Sequence, residues 1–106
     1  MTLIERGGLD REMAIGVLAN GAPGSPLVKA LSRRMADGTY EPNFHLSLMA
    51  KDLAYAIREA ERRQVNLSTA GPALAAFTRA NEMGLGDEDF SAVIEPMRAS
   101  GSQKSR

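Results

Sequence analysis

The chain has 106 residues, 43% apolar and 25% charged, with 13 basic side chains set against 13 acidic ones. A zero net charge argues against a nucleic-acid binder or an anionic-membrane binder, since both need a basic excess. With no cysteine and one histidine, the chain has no disulfide, no thiolate or multi-histidine metal centre and no thiol nucleophile.

The length suits one domain with a modest core. No apolar run reaches the length of a membrane span and no signal-peptide pattern opens the sequence, so the expected compartment is the cytoplasm. Apolar residues recur at three- and four-residue spacing, β-branched residues are few and alanine is abundant, which predicts an all-α bundle.

In chain order, residues 2–6 read as a helical stub ended by Gly7-Gly8. Asp10 is the expected N-cap of a helix to about Ala19, with Met13, Ala14, Val17 and Leu18 on its apolar face and Asn20-Gly21 as the stop. Ser25-Pro26 starts the next helix, whose stripe is Leu27, Leu31 and Met35 and whose end is Asp37-Gly38. After a loop at Tyr40-Glu41-Pro42-Asn43, the longest helix is predicted over residues 44–63, with a ladder of Leu46, Met49, Leu53, Ala56, Ile57 and Ala60. A further helix is predicted over residues 69–83, capped by Ser68, with Pro72 in its first turn. Asp87 then reads as an N-cap, Phe90, Val93 and Ile94 as an apolar face, and Pro96 as the approximate end. The expected organisation is one domain over residues 1–98 and a disordered polar tail over residues 99–106.

Several residues invite a chemical reading. Lys51, Tyr55, Arg58 and Arg62 share one line of the longest helix, with Asp52 and Glu59 on the neighbouring line. Periodicity alone reads this as a solvated face with intrahelical pairs. Gly21-Ala22-Pro23-Gly24-Ser25-Pro26 lacks the glycine spacing of a dinucleotide fingerprint and any Walker-type lysine, and reads as a turn with a cap. His45, at a helix start without an evident partner, reads as a surface or capping residue rather than a base. The serines have no neighbouring base, so no nucleophilic triad is in view.

Four segments occur together in order. Gly21 to Pro26 and Tyr40-x-Pro42-x-Phe44 come first. Leu48-Met49-Ala50-Lys51-Asp52-Leu53-Ala54 follows, and then Gly84-Leu85-Gly86-Asp87-Glu88-Asp89-Phe90-Ser91-Ala92-Val93-Ile94. This set resembles the C-terminal half of the β-hydroxyacid dehydrogenases, the 3-hydroxyisobutyrate dehydrogenase family that includes glyoxylate/succinic semialdehyde reductases and is related to imine reductases. The resemblance runs from about Leu3 to Arg98.

It implies an all-helical domain that, in the family, follows a Rossmann domain and a long interdomain helix, of which residues 1–9 would be the remnant. It implies that Lys51 contacts a nicotinamide cofactor, NAD or NADP, at the interdomain cleft, that Asp52 orients Lys51 or holds the adjoining helices, and that Phe44 lines the same cleft. The glycine fingerprint, the glycine-rich substrate loop and the catalytic lysine with its asparagine four residues on are not matched. The lysines here are Lys29, Lys51 and Lys104, and none has that asparagine. The chain alone is therefore expected to be catalytically incompetent and to bind no cofactor by itself. Apolar surface left uncovered without a Rossmann domain is expected to drive association into a homodimer, with a Rossmann-domain partner if one is encoded separately. A free-standing helical dimerisation or small-ligand module is the alternative, in which Lys51, Arg58 and Arg62 hold a carboxylate. Tyr55 stands where the family has an aliphatic residue, and Gln64-Val65-Asn66 where it has Gly-Val-Pro, which leaves the substrate class open.

Overall fold

The computed structural model describes the backbone of residues 1–104 and the side chains of residues 1–100. Among these residues the fold is all-α, with no strand. Its helices are α1 (Thr2–Arg6), α2 (Arg11–Asn20), α3 (Pro26–Asp37), α4 (Leu46–Arg62), α5 (Ala70–Ala80) and α6 (Glu95–Lys104). Between α5 and α6 lie a π-helical turn, Asn81–Leu85, and a 3-10 helix, Phe90–Ile94. No helix among the described residues is long and apolar enough to cross a membrane.

The helix starts follow the local chemistry closely at α2 and α3. Asp10 accepts the Met13 amide at 3.0 Å, and Ser25 accepts the Val28 amide at 3.1 Å with Pro26 behind it. The turn between these helices needs its glycine: a Cβ on Gly24 would lie 2.0 Å from the Ala19 carbonyl oxygen. Chain breaks elsewhere rest on positive φ, as at Gly84 (φ 89°), which stops the helical run after α5.

The core sits where α4, α5 and the segment after α5 meet. Leu46, Ala80 and Ala92 are fully buried there, with Tyr40, Phe77, Leu85, Phe90 and Val93 against them. The small residues Ala60, Ala80 and Ala92 let the backbones approach closely. On the α4 ladder, Leu46 and Ala60 are buried, Met49, Leu53 and Ile57 half-buried, and Ala56 exposed.

Five expectations need correction. On α2 the buried residue is Ile15, while Met13 and Val17 stand exposed, because no element among the described residues covers that face. The longest helix begins at Leu46 rather than Phe44, because residues before it are held extended by a remote segment. Ser68 does not cap α5; Thr69 occupies the N-cap position without a side-chain bond. The cap before Phe90 is Asp89, not Asp87. Pro96 opens the first turn of α6, a position where its missing N–H costs nothing, rather than ending a helix. The backbone of that helix is described through Lys104, and residues 105 and 106 of the expected tail lie outside the described residues.

Candidate functional site

α4 has no side-chain cap of its own. His45 occupies the N-cap position, exposed, without a cap bond from its ring. The orphan amides of the first turn are met instead by carbonyls from far along the chain. The Leu46 amide donates to Glu88 at 2.9 Å and the Ser47 amide to Gly86 at 3.0 Å. This ties the start of the longest helix to the Gly84 to Ile94 segment singled out in the sequence.

Asp89 is the centre of that tie. It is fully buried. Its Oδ1 accepts the amides of Asn43 at 3.0 Å and Phe44 at 3.2 Å; its Oδ2 accepts the Ser91 amide at 3.1 Å and the Ser91 hydroxyl. Arg34 of α3 stands 3.5 Å from Oδ1. The Asp89 amide donates to the Tyr40 carbonyl at 2.9 Å, and the Phe90 amide to the Phe44 carbonyl at 2.8 Å. Burial pushes the Asp89 carboxyl up, but hydrogen bonds from Ser91, Asn43 and Phe44 outweigh it and hold the group below 3.8. The carboxylate is therefore a fixed structural anion, fully satisfied by this chain.

This clamp positions the three residues that the family resemblance marks. Phe44 is half-buried, and its ring meets Phe90 edge-on with centroids 5.8 Å apart. Lys51 and Asp52 follow on α4, both exposed. The Lys51 ammonium lies 5.9 Å from the Tyr55 ring centroid, with the Arg58 guanidinium at 5.0 Å from the same ring. Among the described residues Lys51 enters no ion pair, and Asp52 makes no side-chain bond to Lys51 or to a neighbouring helix. Arg62 is engaged by Glu59 at 2.9 Å, which leaves Lys51 and Arg58 as the uncommitted cations of the row.

Lys51 thus stands on an open helix face, not in a pocket enclosed by this chain. Grooves open elsewhere, one of about 580 Å³ between α1 and α6 and one of about 440 Å³ beside Arg33 and Pro42, and Lys51 lines neither. No group of three or more potential metal ligands occurs among the described residues. The residues around Lys51 fit one wall of a nicotinamide cofactor site: a free ammonium beside an aromatic ring, on a helix whose start is immobilised. They offer no phosphate cradle.

The sequence profile for the NAD-binding region of NADP-dependent 3-hydroxyisobutyrate dehydrogenase matches residues 1–97. The chain belongs to this family. It is 34% identical over 100 residues to glyoxylate/succinic semialdehyde reductase 1 of Arabidopsis thaliana, covering 94% of this chain and 35% of that protein. It is 34% identical over 95 residues to L-threonate dehydrogenase of Escherichia coli K12, covering 90% of this chain and 32% of the relative. The fold superposes on the crystal structure of a 3-hydroxyisobutyrate dehydrogenase from Salmonella typhimurium with a TM-score of 0.82 at 31% identity, over 89% of this chain and 33% of that one. The chain spans about a third of the length of the relatives it matches.

Two groups with structural consequence escape the sequence reading. The role of Asp89 as the buried keystone was not legible in the sequence. The signal was local: Asp89 stands two residues before Ser91 at the start of an apolar run, an N-cap signature two residues later than Asp87. Arg98 had only its i,i+3 pairing with Glu95 as a local signal, because its other partners Glu5, Met35 and Tyr40 are distant in sequence.

Proposed function

We propose that this chain forms the helical wall of the cofactor and substrate cleft of an NAD(P)-dependent hydroxyacid dehydrogenase, and that residues 1–106 alone do not catalyse the reaction. The supporting observation is the exposed, unpaired ammonium of Lys51 on a helix anchored by Asp89, within a chain that matches the NAD-binding family profile nearly end to end. When bound, nicotinamide supplies or accepts the hydride that interconverts a small carbonyl acid and its hydroxy acid. Lys51 contributes a positive charge toward the cofactor and the substrate oxygen. Phe44 contributes an apolar edge that excludes water from the same side. Asp52 lies next to Lys51 and keeps the local field balanced. The catalytic lysine that the family resemblance implies is not matched among Lys29, Lys51 and Lys104, so the remaining chemistry is assigned to the part of the enzyme that carries the dinucleotide-binding domain.

The test mixes the chain with NADH or NADPH and succinic semialdehyde or glyoxylate. No turnover is expected; turnover at an ordinary enzymatic rate overturns the reading. Supplying the dinucleotide-binding domain of the Arabidopsis relative in trans is expected to restore activity, and replacing Lys51 by Gln to reduce it by about tenfold or more.

The surface supports association as a second reading. The accessible area is 7093 Å², against roughly 5,800 Å² for a compact monomer of this mass. The radius of gyration is 15.1 Å, against about 13 Å for a compact domain of this length. Leu3, Leu9, Met13 and Val17 are 85%, 63%, 72% and 69% exposed at the α1–α2 end. Uncovered apolar surface of this kind drives association, and a homodimer built on this end is the expected state. Light scattering that returns a monomer at micromolar concentration rules the dimer out without touching the cleft assignment.

A further inference from the structure

Helix α1 is joined to the bundle mainly by charge. It has no buried residue. Thr2 Oγ1 is buried without a hydrogen-bond partner, which weakens the docking further. Against this stands Arg98 of α6. Its Nε and Nη2 donate to the two Glu5 carboxylate oxygens at 2.9 and 2.7 Å, a bidentate pair. The same guanidinium donates to Glu95 at 2.6 Å, to the Tyr40 hydroxyl at 3.1 Å and to the Met35 carbonyl at 2.6 Å. Tyr40 in turn donates to Glu95. Arg6 donates to the carbonyls of Met97 and Arg98, and Arg11 of α2 stands 3.3 Å from Glu5. The charged groups bonded to Glu5 are therefore Arg98 on α6 and Arg11 on α2, with Glu95 of α6 and Tyr40 of the loop after α3 joined to it through Arg98.

The position of α1 has a consequence. Thr2 and Leu3 form one side of the groove of about 580 Å³ whose other side is Met35, Val93 and Met97. Moving α1 widens that groove and exposes its apolar floor.

We propose that the Glu5–Arg98 pair is a latch, such that α1 leaves the bundle as a unit and opens this groove when the pair loses a charge, while α4 and α5 stay folded. Both side chains are only 23% exposed, so salt screens the pair weakly, whereas neutralising Glu5 weakens the bidentate bonds that tie α1 to α6 while Arg98 keeps Glu95, Tyr40 and Met35. The hydrogen bonds from Arg98 hold the Glu5 carboxyl below 4.5. The latch is thus closed at neutral pH and opens as pH falls through that depressed value.

Hydrogen exchange on the full chain, read by mass spectrometry, tests this. Peptides covering α1 report the latch, and peptides covering α4 serve as the internal reference. Glu5→Gln keeps the shape of the side chain and removes its charge. At neutral pH it is expected to speed exchange in α1 by about tenfold while α4 protection holds. Arg98→Gln is expected to match or exceed that effect, and raising salt to about 1 M to fall well short of it. Unchanged exchange of α1 in Glu5→Gln overturns the proposal. So does an α1 already unprotected in the wild type, or α1 and α4 losing protection together. If Arg98→Gln fails to fold, Glu5→Gln decides alone.

Discussion

The two ends of this molecule are held by different means. At one end Asp89, Leu46 and Ala92 are fully buried and the chain from Tyr40 to Ser47 is stitched to Gly86–Ser91 by backbone amides and one satisfied carboxylate. At the other, α1 and α2 bury one side chain between them, Ile15, and attach through ion pairs: Glu5 with Arg98 at 2.7 Å and Glu12 with Arg33 at 2.8 Å. The first kind of contact fixes geometry and tolerates no missing partner. The second is adjustable and leaves apolar side chains uncovered. The clamped end is the one that carries Phe44 and positions Lys51, the residues of the cleft proposed above.

The comparison breaks most sharply at Asp89. Asp89→Ala leaves the amides of Asn43, Phe44 and Ser91 without their acceptor and Arg34 without its counter-charge. The expected loss is about 3–5 kcal/mol, read as a lower urea midpoint. Acid should act on the same contact. A carboxylate whose folded value is depressed contributes stability above its unfolded value and loses it as pH falls through the folded one. For Asp89 that window lies below pH 3.8. Wild-type stability should fall there more steeply than that of Asp89→Asn.

Most helices were legible because their signals are local. Asp10, Ser25-Pro26 and Gly38 each announce a boundary through their own backbone chemistry, and each sits at the boundary predicted. What was illegible depends on contacts across the fold. The start of α4 is set by carbonyls of Gly86 and Glu88, so the sequence around Phe44 and His45 could not reveal it. The periodicity of α2 marked Met13 and Val17 as apolar, but periodicity cannot say whether anything covers them. The line of Lys51, Tyr55 and Arg58 was legible from helical spacing, and both cations do flank the ring. That the family motif around Asp89 supports the Lys51 helix, rather than forming chemistry of its own, needed the coordinates.

Two smaller changes sharpen the contrast. Gln64 follows α4 with a φ of 59°, a left-handed conformation that costs a residue with a Cβ about 1 kcal/mol or more. The Val65 amide closes back on Ala60 at 2.8 Å, so the helix end depends on this strain. The family resemblance places glycine here, and the position lies about 20 Å along the helix from Lys51. Gln64→Gly is expected to stabilise by about 1 kcal/mol in a thermal melt. Tyr40 belongs to both ends, its carbonyl in the Asp89 clamp and its hydroxyl in the Arg98 network. Burial, then the hydrogen bond to Glu95, pushes its hydroxyl up to about 12. A raised value means stability that is complete below the unfolded value of 10.0 and lost as pH rises through about 12. Tyr40→Phe should cost roughly 1 kcal/mol at neutral pH and flatten the alkaline limb.

Lys51 should give the smallest stability change and thereby separates folding from function. Its ammonium is exposed, enters no ion pair among the described residues and meets Tyr55 only at 5.9 Å. Lys51→Gln is expected to shift stability by less than about 0.5 kcal/mol. A structural lysine on a solvated face would give the same small shift, so the decisive readout is cofactor-dependent turnover with a dinucleotide-binding domain supplied. Loss of turnover at unchanged stability assigns the charge to the cleft. Unchanged turnover returns Lys51 to the solvated row that helical spacing alone describes.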